Sequence, residues 1–193
     1  MLSSFYRHYG LTMTLIRVLL AFFVLLSPAL AVDPPHAEMG PAVKGFGPVL
    51  PVPEGAFNLS NDRVYKVSKD LSSVASEPSQ INRGLESAAR FLNMQARSGT
   101  PMDRLHMAVI VHGAAAKDML NDAAYQKRLG MENPNTGLLA GLKEAGVTIY
   151  LCGQTAAYRG FAPEELNPGV ELALSAMAAH VQLQSEGYTL IPF

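Results

Sequence analysis

Cys152 is the only cysteine in the chain, and the residues around it prescribe its setting. The run Val147-Thr148-Ile149-Tyr150-Leu151 is apolar and β-branched and reads as a strand. Gly153-Gln154-Thr155-Ala156-Ala157-Tyr158-Arg159-Gly160 then reads as a turn opening a helix. A thiol at the carboxyl end of a strand lies in the crevice where open parallel sheets bind ligands. Helix-start N–H groups directly after it stabilise a thiolate and lower the thiol pKa. The competing reading is the ordinary one for a free cysteine, burial as a small apolar side chain. These residues leave both open.

Two further side chains are candidates for the same chemistry. His112 closes the apolar run Leu105 to Val111, which reads as a second buried strand. If the two strands are neighbours, about 4.8 Å apart, the imidazole approaches Cys152, and an imidazolium there would favour the thiolate. The alternative is a histidine that satisfies a backbone group in its own turn. Arg159 is a second source of positive charge near the sulfur, or else a solvated residue pairing with Glu164 or Glu165.

Other chemistries find little purchase. No G-x-G-x-x-G follows the first strand and no Walker loop occurs, so a nucleotide would lack its phosphate cradle. G-x-S-x-G, the nucleophile turn of α/β-hydrolases, is missing. His36, His106, His112 and His180 show no metal-ligand spacing, and a zinc or copper site using His112 and Cys152 is weakly supported. The scattered methionines read as core filler. Net charge is −1 with no basic stripe in the later part of the chain, which argues against nucleic-acid binding. No metal or organic cofactor is expected.

The elements that must position these residues alternate strand and helix signals. Val64-Tyr65-Lys66-Val67 reads as a first strand. Ser76 is a candidate cap for a helix with Ile81, Leu85, Ala88, Leu92 and Ala96 on one face, ended by Gly99 and Pro101. The strand Leu105–Val111 and a short helix over Ala123–Leu129 come next. Asn133 and Pro134 read as the cap and first position of a helix through Leu138, Leu139, Leu142 and Ala145, stopped by Gly146. After the Cys152 strand, Asn167-Pro168 is predicted to open a last helix, with Val170, Leu174, Met177 and Val181 as its apolar face. A final strand follows over Tyr188 to Ile191. Strands separated by helices imply βαβ crossovers: a single Rossmann-like, three-layer α/β domain with a mostly parallel sheet.

The amino-terminal third reads differently. Arg7, His8 and Arg17 give a basic start, Val18 to Leu26 is an unbroken apolar run, and Ala29-Leu30-Ala31 is an A-x-A cleavage signal. That order predicts a signal peptide over residues 1–31, cleavage after Ala31 and a periplasmic or secreted product. Met13 is an alternative start. Nine apolar residues fall short of the roughly 20 that span a bilayer, so stable membrane insertion after processing is not expected. Residues 32–62 are rich in proline and glycine and read as an extended arm, a tether or a segment docked on a neighbouring subunit. The α/β domain is expected over residues 63–193. One cysteine makes no intramolecular disulfide, so the core must hold this fold.

Cys152-Gly153-Gln154-Thr155-Ala156-Ala157-Tyr158-Arg159-Gly160 resembles the C-x-x-x-A-A-x-R-G segment of DsrE/DsrF-like proteins. The strand end Val109-Ile110-Val111-His112-Gly113 and the segment Asn133-Pro134 to Gly146-Val147 are similar to that family as well, and the likeness runs over Val64 to Phe193. The family includes sulfur-carrier subunits that pass persulfide sulfur. The resemblance implies a compact α/β domain assembling as a homo-oligomer, trimer or hexamer. It matches Cys152 to the family's sulfur-accepting cysteine, served by a sulfur-donor protein or a small sulfane-sulfur compound. The export signal sets this chain apart from the cytoplasmic carriers. Two other functions remain in view: a non-enzymatic binding or assembly module with a buried thiol, and a thiol redox sensor.

Overall fold

The apolar run Leu105–Val111 forms β2, buried at every position except His106. Such continuous burial belongs to a strand covered on both faces. The computed structural model describes residues 37–191, and β2 is the middle strand of its five-stranded sheet. On one side lie β3 (Thr148–Cys152) and β4 (Val170–Ala173), and on the other β1 (Tyr65–Leu71) and β5 (Thr189–Ile191), giving the order β4-β3-β2-β1-β5. Every pairing is parallel. The register sets Leu71 opposite Val111 and Val111 opposite Leu151, so the carboxyl ends of β1, β2 and β3 finish level.

From β1 to β4 the chain steps across the sheet in one direction, through α1 (Arg83–Arg97), α2 (Asp122–Leu129), α3 (Thr136–Glu144) and α4 (Gly153–Arg159). It then returns from edge to edge through α5 (Ala176–Ser185). Right-handed crossovers require that reversal to bring α5 to the opposite face. The packing agrees. Leu85, Ala88 and Leu92 of α1 and Leu138, Leu139 and Leu142 of α3 cluster with Val67, Met107, Val109, Ile149 and Leu151. Ala179 and Leu183 of α5 pack on Ala108 and Ile110 from the other side. The result is the three-layer α/β architecture expected from the alternation of elements.

Residues 37–49 pack on this chain's own helices. Asn93, wholly buried in α1, accepts the Val43 N–H at 2.7 Å and donates to the carbonyls of Val43, Phe46 and Gly47. Arg97 reaches Glu38 and the Met39 and Gly40 carbonyls. Gly137 and Gly141, one turn apart on α3, leave room for Phe46 and Val43. Gly47 has φ +63°, and a Cβ there would lie 2.4 Å from the Arg90 nitrogen, so only glycine permits this approach. A second set of buried polar groups ties the loops together. Asn82 donates to Asp118, Asn135 accepts the Asn82 N–H, and Asn133 donates to the Asp118 and Leu120 carbonyls.

Four boundaries differ from the expectations. β1 runs on from Val67 through Ser68, Lys69 and Asp70 to Leu71, because parallel pairing with β2 along its whole length overrides the low strand propensity of those residues. The cap of α1 is Asn82, whose Oδ1 accepts from Gly84 and Leu85, whereas Ser76 bonds Gln80. α3 begins at Thr136 after Asn135, since Asn133 is taken up in the buried cross-links. Asn167-Pro168 opens no helix: Val170–Ala173 is strand β4, paired with β3, and the helix starts only after Ser175. The predicted apolar face therefore splits, and Met177 and Val181 are 77% and 69% exposed.

Candidate functional site

Cys152 ends β3 and is the capping residue of α4. Its neighbour Gly153 has to be glycine, since a Cβ there would meet the Ala173 carbonyl oxygen at 2.6 Å. That tightness brings β4 and the start of α5 over the thiol, leaving Cys152 6% exposed. Burial acts to raise the thiol pKa. The Thr155 hydroxyl and the N–H groups of Thr155, Ala176 and Gln154 outweigh it, and the thiol is held below its ordinary value. No conventional capping bond closes at the side chain, so these groups act as dipoles converging on Sγ. Two helix starts share the task, α4 through Gln154 and Thr155 and α5 through Ala176. Thr155 Oγ1 also accepts a long bond from the Gly113 N–H, 3.4 Å. That leaves its own proton free to point at the sulfur.

The strands of His112 and Cys152 are adjacent, and His112, the residue after β2, is next in register to Cys152. Its imidazole is engaged elsewhere. His112 Nε2 lies 3.1 Å from both carboxylate oxygens of Asp70, the next-to-last residue of β1. His180 of α5 reaches the same carboxylate, Nε2 to Oδ1 at 2.7 Å. Partial burial works against the charge on Asp70, but the bonds from His180 and His112 prevail and hold its carboxyl below the usual range. His180 Nδ1 is buried without a partner, so the ring proton sits on Nε2, where Asp70 accepts it. Asp70, His112, Cys152 and the start of α5 thus occupy one end of one face of the sheet.

Arg159 takes the solvated position, one of the two considered for it. It lies in the last turn of α4, about 10 Å along the helix axis from Cys152, and is exposed. Of its two candidate partners, Glu164 and Glu165, the second is paired with Arg128 at 2.7 Å. Asp70, Thr155, Ala176 and His180 are the site residues that the sequence reading passed over. The signal for Asp70 was the alternation Lys66, Ser68, Asp70, which puts all three on the α5 face once the strand is extended. Among the described residues, no group of three or more histidine, cysteine, aspartate or glutamate side chains is arranged to hold a metal ion.

The model of the DsrE/DsrF-like family matches residues 70–193, which include every site residue named above. The chain belongs to the DsrE/DsrF-like family. Two solved structures are similar to it. One is a protein of unknown function, MTH1491, from Methanobacterium thermoautotrophicum, 16% identical, covering 67% of this chain and 99% of that one, TM-score 0.49. The other is the ychN protein from E. coli, 15% identical, covering 67% and 100%, TM-score 0.47. No curated protein sequence matches the chain. Within this DsrE-like chain, residues 70–193 carry Cys152 and the groups around it, whereas the arm that packs on α1 precedes the family match.

Proposed function

We propose that this protein is an exported sulfur carrier in which Cys152 accepts a sulfane sulfur atom as a persulfide and passes it on. One observation carries the reading. The single thiol sits where a hydroxyl and three N–H groups from two helix starts favour a sulfur anion. A thiolate nucleophile and a persulfide anion need the same surroundings. Family membership supports sulfur relay as the general role, and the step calls for no metal or organic cofactor. Export rests on the signal in residues 1–31, which lie outside the described residues. Among the described residues no helix is long and apolar enough to cross a membrane. Self-association is part of the proposal, and the exposed Leu174, Met177 and Val181 supply apolar surface that a second copy would cover.

The burial of Cys152 favours the second reading, an assembly module whose thiol is structural. Intact-mass measurement of the purified protein after exposure to glutathione persulfide separates the two. The carrier gains one sulfur atom at Cys152, and Cys152→Ser gains none. A native protein that gains nothing, and whose thiol also resists alkylation at neutral pH, refutes the carrier. Uptake of oxygen instead of sulfur on oxidant exposure would identify a redox sensor.

A further inference from the structure

Near the carboxyl ends of three adjacent parallel strands lie Cys152 (last in β3), His112 (just after β2) and Asp70 (next to last in β1), with His112 on the middle strand. The ring of His112 is fixed by both oxygens of Asp70, and Asp70 is fixed in turn by His180. With Nε2–H given to the carboxylate, Nδ1 is the nitrogen left to gain or lose a proton. It has no protein partner among the described residues, and the side chain is about one-third exposed, 33%. His112 follows β2 in register with Cys152 on the neighbouring strand, and a nucleophile served by a base that a third group orients is the arrangement used for proton-coupled nucleophilic chemistry. α5 joins the two parts of the site. Its Ala176 N–H faces Sγ, and His180, four residues and one turn later, holds Asp70.

We propose that Asp70 and His180 are positioning residues that hold His112 as the proton-transfer group for sulfur exchange at Cys152. The assignment rests on the carrier reading above. In the loading step the Cys152 thiolate attacks the terminal sulfur of a donor R–S–SH. The Sγ–S bond forms and the donor S–S bond breaks, with its electron pair leaving on R–S⁻. The transferred sulfur keeps its hydrogen, giving Cys152–S–SH, and R–S⁻ takes a proton from the His112 imidazolium to leave as R–SH. Nothing is oxidised or reduced overall. In unloading, neutral His112 takes the proton of an acceptor thiol R′–SH, whose sulfur attacks the outer atom of the persulfide and restores the thiolate. Asp70 stabilises the imidazolium between the two steps. The charged and titratable groups around His112 are Asp70 from β1, His180 from α5 and Cys152 from β3. Lys69, beside Asp70, is coupled to the carboxylate.

The test compares wild type with Asp70→Asn, His112→Gln and His180→Gln. Sulfur uptake from glutathione persulfide is followed by intact mass, and Cys152 alkylation by iodoacetamide is followed in parallel, both across pH 5 to 9. Uptake is expected to slow on the order of 10²-fold in His112→Gln and Asp70→Asn, a typical contribution of a placed acid–base group. The smaller loss in His180→Gln should be about tenfold, the size expected for losing one hydrogen bond to the Asp70 carboxylate. The pH profile of uptake should lose its histidine limb in His112→Gln, while alkylation stays within about twofold, because the groups that favour the thiolate do not include His112. Wild-type uptake that survives unchanged in both rate and profile in His112→Gln and Asp70→Asn overturns the proposal and leaves the carrier intact. Alkylation slowed in parallel with uptake also overturns it, showing His112 to be a charge near the sulfur. A wild-type protein that alkylates yet takes up no sulfur removes the carrier reading itself.

Discussion

Replacing Thr155 by valine tests the electrostatic basis of the site with little change in shape. Valine keeps the β-branch and the volume and removes only the hydroxyl. Of the four groups that favour negative charge on Sγ, one is lost and three N–H groups remain. The Gly113 N–H loses a long acceptor at 3.4 Å. Because no conventional bond closes at the sulfur, the loss belongs with an ordinary hydrogen bond, about 1 kcal/mol. At about 1.4 kcal/mol per tenfold, the thiolate fraction below the thiol pKa falls about fivefold. The less acidic thiol is also the better nucleophile, with a Brønsted coefficient of about 0.4–0.5 that returns about half of the change on a logarithmic scale. Alkylation by iodoacetamide at neutral pH should therefore slow about two- to threefold. The ultraviolet titration of the thiolate, which is blind to nucleophilicity, should shift upward. The sign for stability follows. The thiol is an acid held below its unfolded value, so its stabilising contribution is present above the unfolded pKa and is lost as pH falls through the native one. Thr155→Val should then lose more stability relative to wild type on the alkaline side than on the acid side, and Thr155→Ser should behave as wild type. A valine variant whose titration and alkylation coincide with wild type would refute the claim that this hydroxyl supports the thiolate.

Three other outcomes are expected. Asn93→Ala leaves the buried Val43 N–H and three arm carbonyls without their partner and should cost about 2–4 kcal/mol, read as a lowered urea midpoint; a change below about 1 kcal/mol would show that the arm adds nothing to the fold. The exported protein should begin at Val32 by amino-terminal sequencing and should scatter light as a trimer or hexamer. A strict monomer at micromolar concentration would refute the assembly.

The sequence by itself determined the layered α/β class, the place of Cys152 and the run of β2. Each of these depends on local pattern: an apolar stretch such as Leu105–Val111 is buried wherever it goes, and a glycine-led helix start after a strand fixes the backbone at the thiol. It did not show that Ser68, Lys69 and Asp70 continue β1, because nothing local makes that triplet a strand; pairing with β2 does. The stripe Val170, Leu174, Met177 and Val181 has helical spacing, yet Val170–Ala173 was claimed by hydrogen bonds to β3 and the remainder faces outward. Only the tertiary structure brought Asp70, His112 and His180, residues 42 and 110 positions apart in chain separation from Asp70, to one carboxylate. It also set the Ala176 N–H beside a sulfur 24 residues earlier in the chain. Local propensity acts over a few residues, whereas parallel β-pairing and the reversed crossover that carries α5 act between segments far apart. The chemistry of the site depends on contacts of that second kind.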